Sequence, residues 1–199
     1  MTGGVVLAGG AGRRMGGLDK AALMVGGVPL LDRVLAAARP VCDRLVVVGP
    51  RRATAVDGVT FVVEDAPGGG PVPGVAAGLA GVGDVDVVVV LAVDLPLLQA
   101  ADLRRLVAAL DDPQVEAAAA DDEGGPNPLL AAYRAAPLAR AVAGLGPGAP
   151  ARRLLPARTV AVDLGPAVLN VNSPADLAAA EARLEDSRRP GAPDPPFAR

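Results

Sequence analysis

A short apolar run, Val5 to Ala8, opens directly into Gly9, Gly10 and Gly12, with Arg13, Arg14, Asp19 and Lys20 close behind. Glycines lack the Cβ that would hold an anion away from the backbone, so this spacing suits a phosphate grip. The arginines and the lysine add positive charge within a few residues of it. Lys20 is the only lysine in the chain, every other cationic side chain being arginine, and a compact ammonium beside a glycine loop favours a phosphate contact over plain solvation. Arg14 has a similar case. Arg13, Arg51 and Arg52 are expected to be solvated.

A second cluster of chemistry follows later runs. Val87 to Val93 is seven aliphatic residues long and ends on Asp94, which sets a carboxylate at the rim of a buried strand where its charge needs a partner. A ligand for Mg²⁺ is the favoured reading, because hard cations take carboxylate and phosphate oxygens together; a turn or cap residue ahead of Pro96 is the plain alternative. Asp65, after Phe61 to Val63, accepts from a base or binds only water. Asn170 and Asn172 flank Val171, so in an extended segment their amides share a side and face one polar site, or Asn172 only forms the turn before the last helix. Together these positions suit a nucleoside triphosphate with a divalent cation. Two other grips fail: no Gly-Lys-Ser/Thr triplet follows the glycines, and the dinucleotide fingerprint breaks at Met15.

The elements that must position these residues alternate. Strands are expected at the opening run, Leu45 to Val48, Phe61 to Val63, Val87 to Val93, Val115 to Ala120 and Leu129 to Tyr133, with Thr159 to Val162 and Val168 to Val171 extended. Helices are expected over Leu30 to Arg39, Val75 to Val82, Ala101 to Leu110, Pro137 to Gly144 and Pro174 to Leu184, the last capped by Ser173. Ala66 to Gly74 and Asp121 to Pro128 read as loops. This is an α/β fold with a largely parallel sheet, whose ligands belong at the carboxyl ends of the strands. One domain over residues 1–185 is expected, followed by a tail over 186–199 with the composition of a disordered segment.

Composition narrows the function. The chain has 199 residues, 51% of them apolar, with two Phe, one Tyr and no Trp; small aliphatics must build the core. The absence of histidine and the single Cys42 exclude a Cys/His metal site, imidazole catalysis and an intrachain disulfide. A net charge of −3 gives no sign of nucleic-acid or anionic-membrane binding. The start, MTGGVV, lacks the basic region of a signal peptide, and no run approaches the roughly 20 apolar residues of a membrane span. A cytoplasmic protein is expected, with Cys42 a small buried residue.

The segments LAGGAGRRMGGLDKAAL, VVEDAPGGGPVPGVAAGL, VLAVDLPLL, NPLLAAYR and LNVNSPADL, in that order, closely resemble molybdenum cofactor guanylyltransferases, within the nucleotidyltransferases of Rossmann-like fold. The resemblance implies a three-layer sandwich around a mostly parallel central sheet. It implies transfer of GMP from GTP to the phosphate of molybdopterin-bound molybdenum cofactor, with release of pyrophosphate and with Mg²⁺ as cofactor. Carried over by position, Leu7, Ala8, Gly9, Gly10, Gly12 and Arg14 wrap the nucleotide and Lys20 stabilises phosphate charge. Asp94 holds the metal, Asp65 contacts guanine, and Asn170 and Asn172 line the acceptor and phosphate region. With so few aromatics, Arg152 and Arg153 would hold the pterin. The chain departs from the pattern at Gly49-Pro50, where relatives often carry an asparagine, and at Gly68 to Pro73. Rival readings are the same chemistry with CTP or another phosphorylated acceptor, and a non-catalytic nucleotide-binding protein of the same fold.

Overall fold

The computed structural model describes residues 1–9, 19–64 and 68–188. Nine strands and five helices are described: β1 Thr2–Leu7, β2 Met24–Val25, β3 Val28–Pro29, α1 Leu30–Ala38, β4 Arg44–Val48, β5 Val59–Val62, α2 Pro71–Val82, β6 Val87–Ala92, α3 Ala100–Ala108, β7 Ala117–Asp122, β8 Gly125–Arg134, α4 Ala135–Ala143, β9 Thr159–Val162 and α5 Pro174–Arg188. Seven strands form one sheet in the order β5-β4-β1-β6-β8-β7-β9. Within this sheet every pairing is parallel except those of β8, which runs antiparallel to both β6 and β7.

Alternation along the central strands builds the three layers. Val6, Leu45, Val47, Val89 and Leu91 face one side, against Leu31, Val34 and Leu35 of α1 and Leu103 and Leu106 of α3. Val5, Val46, Val48, Val88 and Val90 face the other, against Val72 and Val75 of α2 and Leu138 of α4. A strand buried on both faces must be apolar at successive positions, which is why these strands are nearly unbroken valine and leucine. A third small cluster joins Val25, Leu30, Val171 and Ala180, seating α5 by the β2–β3 hairpin.

Helix α2 begins at Pro71, inside the stretch expected to be loop. Proline at the first helical positions gives up only N–H groups that have no intrahelical acceptor, so it starts a helix it could not continue. The same helix lies unusually close to the sheet: a Cβ on Gly78 would meet Val5 Cγ1 at 2.2 Å. Strand β8 likewise begins earlier than expected, at Gly125. Its prolines, Pro126 and Pro128, precede Leu130, the first β8 residue in register with β6, and the β7 register shifts beside them between Ala119 and Ala120. Val168 is the third difference: expected to open an extended segment, it instead closes a 3-10 turn over Gly165–Val168. The last helix continues to Arg188, past the expected end at Leu184 and past residue 185.

Candidate active site

The carboxyl end of β6 delivers Asp94 to the rim of the sheet beside the end of β1, its parallel neighbour. Lys20 arrives from a 3-10 turn over Lys20–Ala22, and Asn172 from the segment just before α5. The three converge. Lys20 Nζ donates to Asp94 Oδ2 at 2.9 Å and to Asn172 Oδ1 at 2.7 Å, across sequence separations of 74 and 152 residues. The lysine and aspartate side chains are 22% and 17% exposed, so this ion pair is partly desolvated and less screened by salt than a surface pair. The other carboxylate oxygen, Asp94 Oδ1, is buried and has no hydrogen-bond partner among the described residues. A buried acceptor of that kind is costly unless a donor or a cation reaches it.

Asn172 is held in place from both sides. Val171, its neighbour, is fully buried and donates its N–H to the Asp94 carbonyl at 3.0 Å. The Asn172 N–H donates to Asp176 Oδ2 at 2.9 Å, and Ser173 Oγ accepts from the Asp176 N–H at 3.2 Å. Ser173 thus caps α5 as its position ahead of Pro174 predicts. The Asn172 N–H, the Ser173 hydroxyl and, more weakly, the Lys20 charge hold the Asp176 carboxyl below the usual carboxylate range.

Other expected site residues fall in different places. Ala8 is buried and its N–H donates to Val48 O at 2.9 Å, while Leu7 O accepts from Val93 N at 3.2 Å and Gly9 is exposed. These bonds draw the end of β1 between the ends of β4 and β6. Gly10, Gly12, Arg14 and Asp65 lie outside the described residues. Asn170 turns its amide back on its own turn, donating to Val168 O at 2.8 Å, and no described bond joins it to Lys20. Arg152 and Arg153 sit exposed on a 3-10 turn over Ala151–Leu154, which packs against α2, α4 and β8 through buried Leu154. The structure brings neither into the Lys20–Asp94–Asn172 cluster.

Two residues matter more than their sequence suggested. Arg52, expected to be solvated, grips Asp19 with both arms of its guanidinium, Nε to Oδ2 at 2.7 Å and Nη2 to Oδ1 at 2.9 Å. Arg51 lies over the Phe61 ring, 6.0 Å from its centre. Gly49 has φ +145°, and a Cβ there would come within 3.0 Å of the Ala8 and Gly9 backbone. The departure from an asparagine at this position therefore matches a close approach between the ends of β1 and β4. An Asp-Lys pair after a glycine loop and a Ser-x-x-Asp pattern before an apolar helix were the available signals for Asp19 and Asp176; nothing local pointed to Arg52.

A mostly parallel α/β sheet with a lysine, a carboxylate and an amide meeting at its strand ends is the architecture of a Rossmann-like nucleotidyltransferase. Comparison with known proteins makes this specific: a sequence model described as the MobA-like NTP transferase domain matches residues 4–162, and the chain belongs to that family. A protein of Natronomonas pharaonis named "Probable molybdenum cofactor guanylyltransferase" is 38% identical over 77% of this chain and 78% of its own. The molybdenum cofactor guanylyltransferase of Cereibacter sphaeroides is 34% identical over 91% of this chain and 96% of its own. Among solved structures, the molybdopterin-guanine dinucleotide biosynthesis protein A of Archaeoglobus fulgidus superposes with a TM-score of 0.69 at 25% identity, covering 92% of this chain and 98% of that one. A manganese complex of Mycobacterium tuberculosis Rv0371C shares the fold, with a TM-score of 0.70 at 24% identity over 91% of this chain and 98% of its own.

Proposed function

We propose that this nucleotidyltransferase moves GMP from GTP onto the terminal phosphate of molybdopterin-bound molybdenum cofactor, releasing pyrophosphate. The observation that carries the reading is the convergence of Lys20, Asp94 and Asn172 at the strand ends, since a scaffold has no need to hold all three together. Relatives similar along most of the chain carry the guanylyltransferase name.

The chemistry asks little of the protein beyond position and charge. An oxygen of the acceptor phosphate attacks the α-phosphorus of GTP, the bond from that phosphorus to the bridging oxygen breaks, and pyrophosphate leaves with the electron pair. A phosphate monoester loses its second proton near pH 6, about the value for phosphoserine, so the nucleophile arrives ionised and no general base is needed. A chain without histidine can therefore run this reaction. Lys20 sits where its ammonium can exchange Asp94 and Asn172 for phosphate oxygens, and Asn172 keeps it aimed. The buried Asp94 Oδ1, without a partner among the described residues, fits a hard divalent cation, for which we favour Mg²⁺. Asp94 would hold that ion together with triphosphate oxygens, and the ion would neutralise charge on them.

Assaying each of the four NTPs with molybdopterin and Mg²⁺ tests the proposal. Dinucleotide formation with GTP is expected; formation with CTP alone would replace the guanylyl reading by its cytidylyl rival. Tight GTP binding without turnover would favour the non-catalytic one.

A further inference from the structure

The turn that carries Lys20 is braced by residues outside the expected site. The turn carrying it is capped by Asp19, whose Oδ1 accepts from Ala21 N at 3.2 Å. The same carboxylate is held by the forked guanidinium of Arg52, and Arg52 Nη1 is itself tied to Pro50 O at 2.9 Å. A planar fork against a carboxylate fixes direction as well as distance, which a lysine cannot do. Only 19% of the Arg52 side chain is exposed.

The connection between β4 and β5 on which Arg52 is mounted is braced in turn. Gly49 N donates to Val62 O at 2.8 Å. Further along, Thr54 Oγ1 donates to Asp32 Oδ1 of α1 at 2.6 Å, and Ala55 N to Asp32 Oδ2 at 3.3 Å. Helix α1 closes the circuit, because Ala21 of the Lys20 turn is 2% exposed in the same apolar cluster as Leu31, Val34 and Leu35. The turn is thus pinned on one side by packing on α1 and on the other by a charge-assisted clasp.

We infer that Arg52 is a positioning residue that acts through Asp19 to set the direction of Lys20. It need not touch nucleotide to do so. The inference rests on the reading of Lys20 as the group that stabilises phosphate charge. Displacing such a group by about 1 Å can cost on the order of 10²-fold in rate, so loss of the clasp should be visible in turnover.

The test is a double-mutant cycle on kcat/KM for GMP transfer, using Arg52→Gln, Lys20→Ala and their combination in the full chain. Arg52→Gln alone is expected to lose about 10- to 100-fold, mainly in kcat, and to lose less than about 2-fold further in the Lys20→Ala background, because two groups acting through one contact are not additive. Asp19→Asn should behave as Arg52→Gln does. Melting temperature is read in parallel, and Arg52→Lys, which keeps the charge but not the fork, carries the same cycle if Arg52→Gln melts early. Equal losses in both backgrounds, or no loss in either arginine variant, overturn the clasp while leaving the guanylyltransferase reading intact. A wild-type chain that transfers no nucleotide overturns that reading, and this inference with it.

Discussion

At the scale of single residues the site turns on one ammonium shared between two oxygens. Lys20 satisfies Asp94 Oδ2 and Asn172 Oδ1 at once, leaving Asp94 Oδ1 as the buried acceptor without a partner among the described residues. Lys20→Ala and Asp94→Ala should each lower kcat/KM by about 10² or more, roughly 2.7 kcal/mol of transition-state stabilisation. Full activity in Asp94→Ala would remove the metal-ligand assignment. Both residues were legible beforehand because their neighbours declare them: a lone lysine after glycines, and a carboxylate closing seven aliphatic positions. Arg52 was not, because its partner lies across the fold and in the sequence a loop arginine looks the same whether clasped or solvated.

Among the elements, α2 shows how small residues set geometry. Gly74, Gly78 and Gly81 face Leu7, Val5 and Val46 respectively, so the helix backbone rests almost on the sheet. A methyl at position 78 would have to displace Val5 Cγ1 from 2.2 Å. Overpacking of that kind costs about 1–3 kcal/mol, set against about 1 kcal/mol that alanine adds to a helix over glycine. Gly78→Ala should therefore lower the denaturant midpoint, and Val5→Ala in the same chain should recover part of the loss. Gly78→Ala as stable as wild type would show that the helix can simply ride higher. Element types were readable from periodicity, but boundaries were not. The start of α2 and the lower half of β8 depended on prolines whose missing N–H groups are harmless only where no acceptor waits for them.

For the whole molecule, the side chains whose titration is shifted by folding lie on the acid and alkaline sides of neutrality. With no histidine in 199 residues, stability should be nearly flat from about pH 5 to 8. On the acid side Asp176 has a lowered folded pKa; its contribution is present above the unfolded value and is lost as pH falls through the folded one. Asp102, raised mainly by burial, has the opposite sign: its contribution is present below the unfolded value and is lost as pH rises through the folded one. On the alkaline side burial pushes the Cys42 thiol up to about 12. Stability tied to that thiol is complete below the unfolded pKa and is lost as pH rises toward the folded one, over roughly pH 9 to 12. Urea unfolding across pH 5 to 11 should show the plateau and the alkaline decline, and Cys42→Ala should flatten the decline. An unchanged alkaline limb in that variant would assign it to other groups.

Composition and periodicity by themselves pointed to an α/β chain with a largely parallel core of small aliphatics, because nearly unbroken apolar strands alternating with helices make a sheet covered on both faces. Local patterns also picked out Lys20 as the only lysine, behind glycines, Asp94 as a carboxylate closing an apolar run, and Asn172 from the Asn-Val-Asn alternation. Which partner each one meets was decided by tertiary structure alone. Parallel pairing of β1 with β6 and the backbone bond from Val171 to Asp94 bring three distant segments to one point. Packing of the Lys20 turn on α1 turns Asp19 toward Arg52. Such contacts form between residues with no sequence proximity, and local composition carries no record of them.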